Sequence, residues 1–345
     1  MRNFNYSGIK IASMATVLPI NKIQVSPEIN AALALAEQTT SDLGFQAAQQ
    51  IIKTQNIDKK EIGALVFLSK TPDYRGPATS MVLQNRLGIP QNCIVYDSPT
   101  GNGGFENALN IGAALLNSVR QNYILLVFGD TVSKQLNFKD FKDLNFQHGA
   151  TAILLEKNVD SAAIKLAFLT KSKFWKSFMV PSGGFRESKS FFNDLNSKRV
   201  EQKIEHLHIN DGLLEEALKP EFNQVLQKVN ELSGFHKDKK TLILVNLLFS
   251  TIEEHFKTEL IQSGFETNII FLQSEIGRQT MSATTPLMLE NILNNFIENE
   301  NHIISISLGE GLSINIASFL THESLVQKTI FSDSFSNNGF VTHEM

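Results

Sequence analysis

The sequence predicts an α/β fold built from two duplicated halves, and three observations predict it. Short apolar runs such as ALVFLS (Ala64 to Ser69), YILLVFGD (Tyr123 to Asp130) and TLILVN (Thr241 to Asn246) alternate with stretches of helical spacing. Unbroken apolar strands of this kind belong to sheets covered on both faces. Each half closes with strand, polar corner, helix, strand, strand, and equivalent points lie roughly 175 to 180 residues apart, which argues for a duplication. The third observation is the stretch Ile94 to Leu116, an apolar run that turns through a Gly-rich corner into an amphipathic helix. Phe105, Ala108, Leu109, Ala113 and Leu116 stand near helical spacing there, and Asn102 sits at the centre of the corner. Such a corner presents its central residue to a cleft, with unpaired helix N–H groups around it.

Taken in order, Gly8 to Pro19 reads as a strand, Ser41 to Lys53 as a helix with Ser41 as N-cap, and Ala78 to Leu87 as a helix ending at Gly88. The strand Ile94 to Asp97, the corner helix, Tyr123 to Asp130 and the strand Ala150 to Lys157 complete the first half. A less regular connection runs from about Lys157 to Gly212. The second half reads as a helix (Leu213 to Leu232), strand (Thr241 to Asn246), helix (Ser250 to Ile261) and strand (Asn268 to Leu272). A polar corner, a helix (Pro286 to Phe296) and the paired strands His302 to Gly309 and Leu312 to Leu320 finish it. The expected organisation is residues 1–160, 161–320 and a tail, 321–345, that is mobile or docks on a partner.

Composition narrows the function classes. The net charge of −4 is spread over interspersed acids and bases, which offers no footprint for nucleic acid. No apolar run approaches the roughly 18 residues of a membrane span, and no charged-then-apolar signal pattern opens the chain. A soluble, cytoplasmic protein without a cofactor is expected. The single cysteine, Cys93, excludes an internal disulfide and a cysteine-based metal cluster, and it reads as a small apolar filler before a buried strand. The histidines are scattered, and no pair has metal-ligand spacing supported by a third ligand. GNGG (Gly101 to Gly104) lacks the G-K-[ST] of a phosphate loop.

TPDYRGPATSMVLQNRLGIP (Thr71 to Pro90) followed by YDSPTGNGGF (Tyr96 to Phe105) resembles the ketoacyl-acyl carrier protein synthase III group of the thiolase superfamily. The resemblance covers about residues 8–320 and implies a thiolase-like five-layered α-β-α-β-α fold with the two corner helices in the middle. In that family the corner reads D-x-x-x-x-C-x-G-F, and its Cys accepts the acyl group. Anchored on Asp97, Gly104 and Phe105, the pattern puts Asn102 at the Cys. The family's His falls on Leu247 in VNLLFS, and its Asn, before T-x-S-x-x-x-P, falls on Gln279 before TMSATTP. Decarboxylative condensation needs the thiolate together with His and Asn to stabilise the developing oxygen charge. An amide is no nucleophile near neutral pH, and Leu247 neither accepts a proton nor donates a hydrogen bond. Losing one member of such a set commonly costs on the order of 10⁴ to 10⁶ in rate, so the resemblance implies a degenerate triad. A family variant that decarboxylates with Gln at the Cys position still relies on imidazole, which Leu247 removes.

Further positions follow from the same resemblance. GEGLSIN (Gly309 to Asn315) matches the family's Gly-rich turn, with Gly311 at its backbone oxyanion donor; a plain tight turn is the other reading. Gly103 belongs to the corner, and Gly76 stands where the family often places a pocket-capping aromatic. PSGGFR (Pro181 to Arg186) is similar to the family's PGGGSR loop, and His148 replaces an acid in the segment FQHGA. Lys171, Lys173 and Lys176 around Trp175 form a candidate docking patch for an acidic carrier protein or a phosphopantetheine arm, or else a solvated loop. His255 lies too far beyond Leu247 to replace the missing imidazole, and Ser98 and Thr100 read as turn residues.

Three functions are therefore open. The first is a non-condensing subunit that forms a homodimer, or a heterodimer with an active ketosynthase III-like protein, in fatty acid or polyketide-type biosynthesis. The second is an acyltransferase or decarboxylase acting on acyl-CoA or acyl-carrier thioesters through a non-family nucleophile such as Thr100 or His148. The third is a binding module for acyl thioesters.

Overall fold

The computed structural model describes residues 1–26, 29–134, 146–181, 208–234, 240–247, 250–265, 269–271, 279–295, 301–322 and 326–336. The first half runs β1 (Arg2–Tyr6), β2 (Ile9–Pro19), β3 (Lys22–Ser26), β4 (Ile29–Ala32), α1 (Thr40–Thr54), β5 (Ile62–Leu68) and α2 (Thr79–Leu87). It continues through β6 (Ile94–Ser98), α3 (Gly104–Ser118), β7 (Tyr123–Asp130) and β8 (Gly149–Lys157). The second half opens with β9 (Ile164–Thr170), β10 (Phe178–Met179), β11 (His208–Ile209), α4 (Asp211–Leu218), α5 (Phe222–Ser233), β12 (Lys240–Asn246) and α6 (Ser250–Gln262). It ends with β13 (Ile269–Phe271), α7 (Thr284–Asn295), β14 (Asn301–Gly309), β15 (Ser313–Leu320) and β16 (Ile330–Ser332).

Two six-stranded sheets carry the fold, ordered β16-β2-β8-β7-β5-β6 and β1-β9-β15-β14-β12-β13. Without their outermost first strands the two orders superimpose term by term, so the duplication read from spacing is a duplication of topology. In each, the strand after the corner helix returns parallel to its neighbour and the next strand turns back antiparallel. The outermost strands are exchanged: β1, from the start of the chain, pairs antiparallel with β9 of the second sheet. β16, from the tail, pairs parallel with β2 of the first.

Burial assigns the layers. Leu43, Ala47 and Ile51 of α1 and Leu83 and Leu87 of α2 pack against Leu65, Phe67, Leu125 and Val127 on the outer face of the first sheet. The alternate residues of the same strands, Val66, Leu126 and Phe128, face inward. There they meet Phe105, Leu109 and Leu116 of α3, Met288 and Ile292 of α7, and Leu242, Leu244 and Ile303 of the second sheet. Leu214, Val225, Val229 and Phe256 of α4, α5 and α6 cover the other face of that sheet. The result is α-β-α-β-α, as the resemblance implied, and Phe105 against Phe319 at 5.8 Å between ring centres ties α3 to the second sheet.

Several expectations are corrected. The helix over Leu213 to Leu232 is two helices, because Pro220 in the intervening turn has no N–H to continue the ladder. α1 is capped by Thr39 rather than Ser41, with Asp42 accepting the Thr39 N–H at 2.9 Å. The connection called irregular contains β9, an interior strand whose alternating exposure hid it. The tail docks on its own chain through residue 336: Ile20 N–H bonds Ser332 O, Gln327 N–H bonds Met14 O, and Ser336 N–H bonds Asp42. Residues 182–186 of the PSGGFR segment lie outside the described residues.

Candidate functional site

The corner is built by carboxylates that satisfy backbone amides. Asp97, at the end of β6, accepts the N–H groups of Thr79 at 2.6 Å and Ser80 at 2.8 Å, and so caps α2. Charge-assisted bonds to the first turn of a helix are among the stronger local anchors, which is a structural reason for an acid at this point. Asp130, buried at the end of β7, accepts from Lys70 N–H (2.6 Å), Ser69 Oγ (3.0 Å), Ser282 N–H (3.0 Å) and Ser282 Oγ (2.7 Å). It thereby pins the TMSATT corner of the second half onto the first. Burial pushes its carboxyl up to about 6 against these bonds.

Between the pinned elements the chain turns at Gly101 to Gly104. Gly103 holds φ +76°, the left-handed region that favours glycine, and a Cβ there would lie 2.3 Å from Asn315 Nδ2. Asn102 is fully buried. Its Nδ2 donates to the Leu308 carbonyl, and its Oδ1 accepts from Asn246 Nδ2 at 2.9 Å. Both ends of the amide are therefore committed, one to each of two neighbouring strands of the second sheet. Asn246 is a residue that the sequence reading passed over; only its place directly before Leu247 at the end of β12 could have flagged it.

The other two positions that the resemblance aligned with the triad, Leu247 and Gln279, differ in their surroundings. Leu247 is buried in an apolar pocket that Leu308, Phe222, Phe256 and Ile306 also line. Gln279 is also fully buried, and among the described residues neither atom of its side-chain amide has a hydrogen-bond partner; its carbonyl accepts the Gln147 N–H at 2.8 Å. The structure thus joins Asn102 to Asn246, next to Leu247, by a hydrogen bond, and does not join it to Gln279.

Glu310 completes the corner and was not singled out in the sequence. Its carboxylate accepts the N–H of Asn102 at 3.1 Å and of Gly101 at 3.3 Å. Burial raises its pKa, while Lys70 and the corner amides pull it down. Gly311, expected as a backbone oxyanion donor or as part of a plain tight turn, gives its N–H to the Phe178 carbonyl at 3.1 Å. Gly76 lies on an exposed loop with open space where a side chain would stand.

The proposed alternative nucleophiles lack activation. Thr100 Oγ1 pairs with Ser98 Oγ at 2.6 Å. His148 is buried with Nδ1 facing Ala34 N–H at 2.8 Å and Nε2 facing Ser133 N–H at 3.1 Å, so its ring is held by backbone. Burial pushes the Cys93 thiol up to about 11, which suits a filler and not a thiolate. His255 is exposed and its ring lies tilted against Phe222. Of the basic patch, Lys173, Trp175 and Lys176 are exposed, whereas Lys171 is ion-paired with Glu221. Lys171 N–H also bonds the Leu312 carbonyl at 2.9 Å, so the patch lies against the turn that carries Glu310. Among the described residues no group of three His, Cys, Asp or Glu could hold a metal ion, and no helix is long and apolar enough to cross a membrane.

Fold and corner define a thiolase-type α/β protein. A crystal structure of a 3-oxoacyl-(acyl-carrier protein) synthase from Burkholderia xenovorans LB400 matches with a TM-score of 0.81 at 24% identity, over 96% of this chain and 99% of that one. The family model for 3-oxoacyl-[acyl-carrier-protein] synthase III matches residues 96–172, which include the corner. A Campylobacter jejuni protein described as a 3-oxoacyl-[acyl-carrier-protein] synthase 3 is 30% identical over 177 residues, 50% of this chain and about half the length of that relative. The beta-ketoacyl-[acyl-carrier-protein] synthase III of Clostridium perfringens is 23% identical over 80% of this chain and 83% of its own length. This chain thus has the thiolase-type fold and is similar to 3-oxoacyl-[acyl-carrier-protein] synthase III proteins, spanning about half the length of the first of these relatives.

Proposed function

We propose that this chain is a non-condensing ketosynthase III-like subunit, pairing with a relative that retains Cys, His and Asn in fatty acid or polyketide-type biosynthesis. The observation that carries the reading is the buried Asn102 amide, hydrogen-bonded on both sides at the position where the resemblance puts the acyl-accepting nucleophile. An apolar Leu247 and an unpartnered Gln279 offer neither a base nor a shaped oxyanion site. Pairing is supported by β6, an edge strand of the first sheet with Ile94 48% and Tyr96 50% exposed. An open edge with large apolar side chains is a template for another chain. The exposed Lys173, Trp175 and Lys176 support approach of an acidic carrier or a phosphopantetheine arm to the partnered assembly.

The test mixes the purified protein with the triad-bearing ketosynthase of its own pathway and adds an acyl thioester. Native mass spectrometry is expected to show a mixed dimer, with the acyl mass on the partner alone. A covalent adduct on this chain, or no mixed dimer, overturns the reading.

A further inference from the structure

The corner is already occupied, and the occupant comes from the chain itself. We propose that Glu310 is a built-in plug. Its carboxylate sits on the amide donors of Gly101 and Asn102, so an outside carbonyl or carboxylate oxygen reaches them only when Glu310 withdraws. Successive amides aimed at one point form a seat for anionic oxygen, and a carboxylate bridging two of them is its natural filling. Oε2 takes Gly101 at 3.3 Å and Oε1 takes Asn102 at 3.1 Å.

The space around Gly101 shows how closely the carboxylate approaches. Its φ lies outside the left-handed region, so its backbone does not demand glycine. A Cβ there would stand 2.0 Å from Glu310 Oε1 and 2.8 Å from Lys70 Cγ. What excludes a side chain at 101 is the approach of the carboxylate and of the lysine beside it.

The turn is fastened immediately after the plug. Gly311 N–H is bonded to Phe178 O, and Leu312 O accepts Lys171 N–H. Glu310 can therefore leave by rotation of its own side chain, or by a lift of the turn together with the exposed segment around Trp175. The inference rests on corner geometry alone and stands or falls separately from the pairing of subunits.

The probe is sodium formate, a carboxylate without a stem, at constant ionic strength. Glu310→Ala is expected to lower Tm by several degrees, and formate to restore at least half of the loss saturably while leaving the wild type unmoved. A formate response equal to that of the wild type overturns the proposal. Glu310→Gln, nearly isosteric, keeps the test decisive should the alanine variant not fold. Hydrogen exchange of the segment spanning Gly101 and Asn102 is expected to accelerate at least tenfold in it, and unchanged protection overturns the plug.

Discussion

Asn102 fastens two strands of the second sheet through a single side-chain amide. The amide joins β12 to β14 through Asn246 and the Leu308 carbonyl, in a place where water does not compete. Asn102→Ala should therefore leave two buried polar groups without their partner and cost about 2–4 kcal/mol, read from urea denaturation. A loss below about 0.5 kcal/mol would mean that the asparagine is idle. Asp130 acts at the same scale with the opposite electrostatic sign. Its folded pKa of about 6 lies above the ordinary 3.8, so the folded chain holds a proton that the unfolded chain releases. Its contribution is most favourable below the ordinary value and is lost as pH rises through about 6, a swing of about 3 kcal/mol at full effect. The place of Asn102 at the corner was readable from the motif frame, because Asp97, Gly104 and Phe105 set the register. Asn246 and Glu310 were not, since their roles arise only when distant turns meet.

At the scale of elements, α3 is the member that both sheets share. Phe105→Ala removes a ring buried between them and is expected to cost about 3–5 kcal/mol, measured as a fall in the urea midpoint without a change in slope. α7 and the tail form a second joint: Glu290 on α7 accepts the Thr329 hydroxyl, and burial pushes its carboxyl up to about 7. This group also stabilises the fold best when protonated, so its contribution falls as pH rises from about 4.5 through 7. Glu290→Gln should flatten that part of the pH–stability profile; a profile identical to wild type would place the titration elsewhere. Strand and helix positions were legible wherever both faces were apolar. β9 and β16 were not, because each pairs with strands far from it in sequence and belongs to no local strand–helix repeat.

For the whole molecule, periodicity alone announced the doubled architecture, and the sheet orders repeat it. What periodicity could not announce is where the ends of the chain go. Association should be governed by the β6 edge: replacing both Ile94 and Tyr96 with Asp is expected to abolish any dimer in sedimentation while leaving the urea midpoint nearly unchanged. Persistence of the dimer would move the interface to another face. The exchange of β1 and β16 also sets an order on biosynthesis. Residues 330–332 reach the ribosome exit only after the second half, so until then β2 stands as an open border of the first sheet. A nascent first half is thus exposed to wrong pairings for most of translation, and a chaperone that shields bare sheet borders would act there.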